Sequence, residues 1–337
     1  MSSQKNGSES NLEKISYSKI STFEQCPRQF YLKYELKKRS NAASLPLEIG
    51  TITHHGKELV GLALMDNKKP DYEAIRGAVM SGFTGTEKPV FNEDGEQLNI
   101  DELTGITKAV AVLGVDELRN KYFFDWMEKC NKSGMTYDEK LKIYFDNIHN
   151  LENEDGWNVV ACELEFDFPY KGKFRLHGFI DRVDKNADDD YRVLDYKSSK
   201  KVFDEKYTKT PLQMFIYTLA VESVYGKIPI EHLYDFMLIG EMQNVCSKGY
   251  YKRGETKLLK LWEELEACRQ SGIWKPKPSP LCHWCDYCET NPNAEAALKR
   301  ECQYYSLWTP ANKTFEVKKK FDENAVEIEK KTEGFWF

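Results

Sequence analysis

The clearest alternation of apolar and polar positions predicts a β-hairpin. Runs rich in Val, Ile, Leu, Phe and Tyr occupy residues from about 175 to 185 and from 191 to 197, and the polar segment Asn186 to Asp190 between them has turn chemistry. Because strand side chains alternate between the two faces of a sheet, each run predicts one strand. The sequence therefore predicts two antiparallel strands joined by a short turn.

Further strands and several helices surround this hairpin. Residues 157–170 (WNVVACELEFDFPY) alternate in the same way, with Glu163 and Glu165 on one face, and residues 230–239 predict a later strand. Helical spacing predicts helices at 16–39 with an interruption at Pro27, 48–64, 107–130, 137–150, 210–225 and 255–271. Together these elements predict a mixed α/β core. The segment 66–105 is polar with Gly and Pro, which predicts a linker or an inserted, mobile segment.

Composition fits an intracellular globular protein. The 337 residues are 41% hydrophobic and 30% charged, and no apolar run approaches the roughly 20 residues that a membrane span needs. The first dozen residues are polar, without the apolar region of a signal peptide. We therefore expect residues 1–15 to be disordered, no membrane association and a cytoplasmic location, in the host cytoplasm if the chain is viral.

Charge gives only a local indication of nucleic-acid binding. The net charge is −6, but residues 28–39 and 197–209 interleave aromatics with Lys or Arg, as a groove that follows phosphates could. Arg28, Lys200 and Lys201 are the candidate DNA contacts. The alternative is that both stretches are ordinary exposed helix faces.

The hairpin also carries a candidate metal site. With the turn centred on Asp188, Asp181 lies opposite Asp195, and Lys197 points to the same face as Asp195. Like charges in opposite positions destabilise a sheet unless one is protonated, a cation side chain lies between them or a divalent ion binds. Carboxylates favour Mg²⁺ or Mn²⁺. The alternative is a solvated acidic hairpin tip.

Cysteine spacing predicts a second metal site. The chain has nine cysteines and no signal peptide, which favours a reducing compartment and metal binding over disulfides. Cys282, Cys285 and Cys288 have C-x2-C-x2-C spacing, and Cys302 or Cys26 could supply a fourth thiolate. Zinc and an iron–sulfur cluster are both compatible with such a set. The alternative is that these cysteines are small buried apolar residues.

Five motifs follow one another between Ser16 and Cys288. They are SYSKISTFEQCPRQFYLKY, with Cys-Pro inside an aromatic helix; GTITHHGKEL, with Gly-x-x-x-His; HGFIDRVD, with Gly-x-x-Asp; LDYK, with (D/E)-x-K; and LQMFIY, with Gln-x-x-x-Tyr on one helix face. In this order they resemble the PD-(D/E)XK nuclease superfamily, in particular its RecB-like exonuclease branch, which includes the AddB nuclease domain and CRISPR-adaptation and phage exonuclease relatives.

The resemblance implies a fold and a domain organisation. The expected core is a mixed central β-sheet flanked by helices, as in restriction endonucleases, with an N-terminal helical part and a C-terminal cysteine clasp that binds a metal cluster. The implied domains are a nuclease domain at 16–305, within it a helical insertion at 66–150, a catalytic core at 157–240 and a cysteine region at 276–305, and a charged tail at 306–337.

The resemblance also implies residue roles. Asp181 and Asp195 would bind Mg²⁺ or Mn²⁺ together with the backbone carbonyl of Tyr196 and with His54, rather than its neighbour His55. Lys197 would be the catalytic amine, which Gln213 and Tyr217 orient; these two could also grip the DNA backbone. Glu163 or Glu165 would reach the metal through water.

For the cysteines, the resemblance implies a 4Fe–4S cluster on Cys26, Cys282, Cys285 and Cys288. The branch commonly has a longer gap before its last cysteine, so Cys302 is the alternative fourth ligand and Zn²⁺ the alternative metal.

The implied function is a metal-dependent DNA exonuclease in replication, recombination or repair, of a cell or of a phage. The alternatives are a structure-specific endonuclease, a non-catalytic DNA-end binding or recombination mediator, and a zinc-stapled scaffold. DNA, as a single strand or a duplex end, is the expected partner, and the charged tail is a candidate docking peptide for a replication or recombination protein.

Overall fold

The computed structural model describes residues 12–40, 45–84, 137–149, 152, 156–199, 201–291, 294–302, 304–309 and 314–319. The chain divides into two compact units, the first made of residues 1–15 and 43–255 and the second of residues 16–42 and 256–337. The strands are β1 (Lys14–Ile15), β2 (Trp157–Tyr170), β3 (Phe174–Asn186), β4 (Tyr191–Lys197), β5 (Glu231–Phe236), β6 (Glu241–Asn244), β7 (Tyr304–Thr309) and β8 (Thr314–Lys319). The helices are α1 (Tyr17–Gln25), α2 (Pro27–Phe30), α3 (Leu45–Met65), α4 (Tyr72–Thr84), α5 (Tyr137–Asn147), α6 (Glu205–Thr208), α7 (Leu212–Tyr225) and α8 (Tyr250–Ser271), with a π-helical turn at Tyr31–Glu35 and a 3-10 helix at Pro280–Trp284.

A mixed sheet forms the centre of the first unit, with six strands in the part of the chain that is described. The strand β3 has the most neighbours: β2 runs antiparallel along one edge, while β1 and β4 pair with the two ends of the other edge, in parallel and antiparallel orientation. β4 and β5 are parallel, and β6 returns antiparallel to β5. The predicted mixed α/β core is confirmed.

The helix α7 is buried in the first unit over most of its length. Its residues are buried from Leu212 to Val221 with the exception of Gln213, which is half-buried. Pro211 precedes the helix, where its missing N–H costs nothing, and the chain leaves the helix at Gly226, whose φ of +74° is in the left-handed region. The helix predicted at 210–225 therefore forms with nearly the expected bounds.

The second unit shows why the helix predicted at 16–39 is not continuous. Ser16 caps α1 by accepting a hydrogen bond from the N–H of Lys19 (3.2 Å), and the helix ends at Cys26, whose φ of −161° is extended. Pro27 has no N–H to donate and disfavours helical backbone at the residue before it. The chain resumes as α2 and a π-helical turn and leaves helical structure after Glu35.

The structure also bears on three other predictions. Lys14 and Ile15, expected to be disordered, pair with Arg175 and Leu176 of β3. The segment predicted as a linker or an inserted segment contains α4, which buries Ile75 and Val79 at helical spacing; this contradicts a linker and is compatible with the helical insertion that the resemblance implies. The charged tail predicted at 306–337 contains most of β7 and all of β8, which pair as a hairpin.

The remaining predicted elements either form as expected or lie outside the described residues. The helix predicted at 137–150 is α5, and the strand predicted at 230–239 is β5. The helix predicted at 107–130 lies outside the described residues, as does the tail beyond 319. Within the described ranges, no helix has the length and apolar character required to cross a membrane.

Candidate active site

The hairpin of β3 and β4 brings the two candidate aspartates to the same level of the sheet. The last registered pair is Arg182 with Leu194, so Asp181 and Asp195 occupy the next position on the two strands. Asn186 closes the turn by accepting two backbone N–H hydrogen bonds, at 3.0 and 2.9 Å. Asp181 and Asp195 are 8% and 2% exposed. The register agrees with the predicted opposition, and the low exposure contradicts the alternative of a solvated tip.

Asp181 is held by the backbone of the opposite strand. Its Oδ2 accepts a hydrogen bond from the N–H of Tyr196, 2.6 Å away. Burial, and then the neighbouring negative charge of Asp195, raise the pKa of Asp181 well above its ordinary value. Two buried carboxylates this close cost free energy when both are ionised, unless a cation joins them.

Four side chains form a closed set of contacts, which we name the lysine ring: Asp195, Lys197, Gln213 and Tyr217. Lys197 forms an ion pair with Oδ2 of Asp195 and donates a hydrogen bond to Oε1 of Gln213 (2.9 Å). Gln213 donates to the Tyr217 hydroxyl (2.9 Å), which donates to Oδ1 of Asp195 (3.2 Å). Burial, and then the charge of Asp195, raise the pKa of Tyr217 well above its ordinary value, so the hydroxyl remains a donor.

The adjacent residues His54 and His55 of α3 have different neighbours. His54 Nδ1 lies 3.5 Å from Oδ2 of Asp181, and its ring packs edge-on against Tyr196, with centroids 5.7 Å apart. His55 instead lies beside Glu58, with Nδ1 3.0 Å from Oε2. Burial lowers the pKa of His54, so its imidazole is neutral at pH 7 and has a lone pair for a metal. The structure therefore places His54, rather than His55, at the site.

Glu163, which was expected to reach the metal only through water, lies directly beside two of the expected ligands. Ligand atoms of His54, Glu163 and Asp181 all lie within 4.8 Å of one another, and we name these three residues the metal group. Glu163 has a φ of +46°, in the left-handed region that side chains other than glycine rarely adopt. Such backbone strain is typical of functional sites.

The sequence treats Glu163 and Glu165 alike, because both are glutamates at alternate positions of one strand. In the structure Glu163 is half-buried at the metal group, whereas Glu165 is exposed. Burial, followed by the charges of Glu58 and Asp195, raises the pKa of Glu163. No residue type signals the left-handed backbone at 163, so alternation alone could not separate the two glutamates.

The donor chemistry of this site fits a divalent cation. The metal group and Asp195 offer three carboxylates and a neutral imidazole, which are donors that Mn²⁺ accepts and, for the oxygens, Mg²⁺ prefers. A cation there would offset the repulsion between the buried carboxylates. Lys197 contributes an ammonium to the same site.

The second unit gathers the cysteines around one small cavity. Its lining includes all five candidates, Cys26, Cys282, Cys285, Cys288 and Cys302. Backbone N–H groups approach two of the sulfurs: Lys277 N–H donates to Cys26 (3.4 Å) and Ser279 N–H to Cys282 (3.5 Å). Hydrogen bonds to sulfur are typical of iron–sulfur sites.

The two candidates for the fourth ligand differ in their contacts. The thiol of Cys302 donates to the carbonyl oxygen of Tyr304, with Sγ and O 2.7 Å apart. Burial raises the pKa of Cys302 to about 12. Cys288 is 2% exposed, and its sulfur lies 3.1 Å from the hydroxyl of Thr290.

The candidate DNA contacts are dispersed. Lys201 is exposed in the loop between β4 and α6 of the first unit. Arg28 belongs to α2 in the second unit, where its guanidinium lies over the ring of Tyr31, 5.3 Å from the centroid. Lys200 lies outside the described residues.

Comparison with known proteins agrees with this geometry. The family model of the PD-(D/E)XK nuclease superfamily matches residues 14–290. The chain is also similar to one subunit of the ATP-dependent helicase/deoxyribonuclease of Clostridium perfringens, with 26% identity over 227 residues, and to the corresponding protein of Clostridium novyi, with 26% identity over 223 residues. These matches cover 62% and 61% of this chain but 18% of each relative's length.

Proposed function

The chain belongs to the PD-(D/E)XK nuclease superfamily, and on that basis we propose that it is a metal-dependent deoxyribonuclease that removes nucleotides from DNA ends during replication, recombination or repair. The observation that carries the proposal is the intact lysine ring directly beside the metal group. A protein that only binds DNA ends gains nothing from two buried, mutually repelling carboxylates, so this arrangement favours catalysis over the mediator alternative.

We assign the metal ligands to Asp181, Asp195, Glu163 and His54, with the backbone carbonyl of Tyr196 as a further ligand. When bound, Mg²⁺ or Mn²⁺ supplies a Lewis acid and lowers the pKa of a coordinated water. The buried carboxylates and the neutral imidazole hold their positions through contacts within the protein. Among these, the N–H of Tyr196 fixes Asp181.

Lys197 acts on the phosphate and the attacking water. A protonated amine cannot ligate a metal, but it can donate hydrogen bonds and offset negative charge that grows on the phosphate oxygens in the transition state. Gln213 accepts one of its hydrogen bonds, and Tyr217 holds Asp195, so the ring fixes the ammonium before substrate arrives. Such preorganisation avoids reorienting these groups during the reaction.

The DNA backbone is proposed to contact basic residues that lie before and after the catalytic residues in the sequence. Lys200, Lys201 and Arg28 are proposed as phosphate contacts, which makes binding dependent on salt. The nuclease domain is proposed to span residues 16–305, with its catalytic core at 157–240. The relatives are named as part of a helicase/deoxyribonuclease, so a helicase partner is a natural candidate, together with a recombination protein at the C-terminal tail.

The cysteine cavity is proposed to hold a 4Fe–4S cluster on Cys26, Cys282, Cys285 and Cys288. C-x2-C-x2-C spacing occurs in bacterial ferredoxins, and Cys26 lines the same cavity as Cys282, Cys285 and Cys288. The cluster would link the two chain segments that build the second unit. When bound, it contributes to folding rather than to hydrolysis.

A time course on end-labelled single-stranded and double-stranded DNA, with Mg²⁺ or Mn²⁺, tests the proposal. Mononucleotides released from one end would establish an exonuclease and its direction. Cutting of closed circular DNA would instead establish the endonuclease alternative. Absence of cleavage on every substrate, by protein with a full complement of metal, would refute the proposed activity.

A further inference from the structure

A buried ion pair lies behind the metal group. Lys57 of α3 and Asp235 of β5 are 3% and 2% exposed, and Nζ lies 2.8 Å from Oδ2. Lys57 also donates to the carbonyl oxygen of Asn147 (3.1 Å). Lysine is almost never fully buried unless it is paired, so this contact requires an explanation.

Each residue of the ion pair neighbours a residue that belongs to the metal group or contacts it. Lys57 lies three residues after His54, so the two side chains project from neighbouring positions on one face of α3. Asp235 is the registered neighbour of Tyr196 on the parallel strand β4. Tyr196 in turn donates its N–H to Asp181 and packs against the ring of His54.

Stability alone does not account for this ion pair. Removing two charges from water costs free energy that their attraction barely offsets, and apolar side chains of similar size are often as stabilising or more so. An apolar contact, however, tolerates rotation and sliding of a helix, whereas a buried ion pair has one geometry. The best-attested use of such pairs is to fix register.

Other contacts hold α3 against both α5 and the sheet, where Gly61 lies close to the side chain of Cys162 of β2. Tyr144 of α5 donates its hydroxyl to the carbonyl oxygen of Thr53 (2.9 Å), and a Cβ at Gly56 would lie 2.0 Å from that hydroxyl. These contacts join α3 to α5. The pair of Lys57 and Asp235 joins α3 to the sheet beside the strand that carries Asp195.

We propose that Lys57 and Asp235 are positioning residues of the metal site: their ion pair sets the register of α3 on β5, and this register places His54 against Asp181. The inference rests on the proposed function for the identity of the metal site. It predicts that metal affinity depends on an ion pair that contains no metal ligand.

The decisive variant replaces both charges, Lys57→Met with Asp235→Leu, so that neither partner is left buried and alone. We expect it to melt at or above the temperature of the parent. Its affinity for Mn²⁺, measured by calorimetry on the metal-free protein, should fall about 10- to 100-fold, the usual effect of removing outer-sphere support. The Mn²⁺ concentration for half-maximal cleavage should rise by the same factor.

A second ion pair provides the control. Lys171, at the turn between β2 and β3, pairs with Glu255 of α8, with Nζ 2.5 Å from Oε1, and Lys171→Met with Glu255→Leu should leave Mn²⁺ affinity unchanged. Parent-like Mn²⁺ affinity in the Lys57/Asp235 double variant would overturn the inference, as would an equal loss in the control. If the double variant does not fold, Asp235→Asn, which keeps the side-chain shape, is measured instead. Weaker Mn²⁺ binding would then support the inference, and parent-like Mn²⁺ binding would overturn it. A parent protein that binds Mn²⁺ but cleaves no DNA would refute the proposed function and leave this comparison intact.

Discussion

Lys197 donates a hydrogen bond to Gln213, with Nζ and Oε1 2.9 Å apart. Gln213 lies one helical turn before Tyr217 on α7, and the two side chains are themselves hydrogen-bonded. A single turn of a buried helix therefore orients the ammonium at the end of β4. The position of Lys197 is thus set by α7 as well as by its own strand.

Gln213→Ala should lower the turnover rate while metal affinity is retained. A misplaced ammonium can cost about 100-fold in rate, and outright removal in Lys197→Ala should cost about 10²- to 10³-fold. Cleavage rates at saturating Mn²⁺ and DNA, together with Mn²⁺ calorimetry, measure the two effects. Gln243→Ala, which removes a glutamine of β6 bonded to a backbone carbonyl, is the matched control. An equal rate in Gln213→Ala and the parent would show that the ring does not orient the lysine.

Glu163 and Glu165 offer a matched comparison two residues apart. Glu163→Gln should weaken Mn²⁺ binding at least about tenfold, because it replaces a charged ligand by a neutral amide. Glu165→Gln should bind Mn²⁺ as the parent does, since Glu165 is exposed outside the metal group. Calorimetric titration of the three proteins checks this. Equal losses in both variants would indicate a general charge effect instead of ligation by Glu163.

Asp181→Asn should stabilise the metal-free protein at neutral pH. The raised pKa of Asp181 means that the folded state binds its proton more tightly than the unfolded chain does. The stability of the parent therefore falls as pH rises from the unfolded pKa through the folded one. An asparagine, which can still accept the N–H of Tyr196, avoids this cost.

Thermal melts of both metal-free proteins between about pH 4 and pH 8 measure this effect. The variant should melt higher at neutral pH, and the difference should shrink toward the acid end, where Asp181 is protonated in both states. Added Mn²⁺ should raise the melting temperature of the parent more than that of the variant. A lower melting temperature of the variant at neutral pH would contradict the destabilisation that we assign to the buried, ionised Asp181.

Cysteine variants should distinguish the ligands of the proposed cluster from the other cysteines. Cys282→Ala and Cys288→Ala should lose iron, acid-labile sulfide and thermal stability together, because cluster binding is coupled to folding. Cys302→Ala should keep the cluster, since its thiol already donates to the carbonyl of Tyr304. Cys246→Ala, in the first unit, is the control. Loss of iron from Cys302→Ala but not from Cys288→Ala would reverse the assignment of the fourth ligand.

The sequence predicted the elements whose signals are local. The hairpin of β3 and β4 follows from alternation and a polar turn, and α7 follows from apolar spacing between Pro211 and Gly226. Because strand and helix periods fix which side chains share a face, the contacts of Asp195 with Lys197 and of Gln213 with Tyr217 could be anticipated.

Features that depend on tertiary structure could not be anticipated. The left-handed backbone of Glu163 has no residue signature, and a lysine such as Lys57 is expected on the surface. The helix α4 lies in a segment interrupted by Gly and Pro, and its burial of Ile75 and Val79 depends on packing against α3. The pairing of β7 with β8 depends on a partner strand that periodicity alone does not identify.

The measurement that tests the central claim most directly is hydrolysis of end-labelled DNA by the parent, Asp195→Asn and Asp188→Asn, each with Mg²⁺, Mn²⁺ or a chelator. Asp188 lies exposed at the turn of the same hairpin and serves as the matched acidic control. The parent and Asp188→Asn should cleave DNA only with metal present, and Asp195→Asn should be at least about 100-fold slower. Equal cleavage by Asp195→Asn, or cleavage by the parent in chelator, would contradict the assignment of this hairpin as the catalytic metal site.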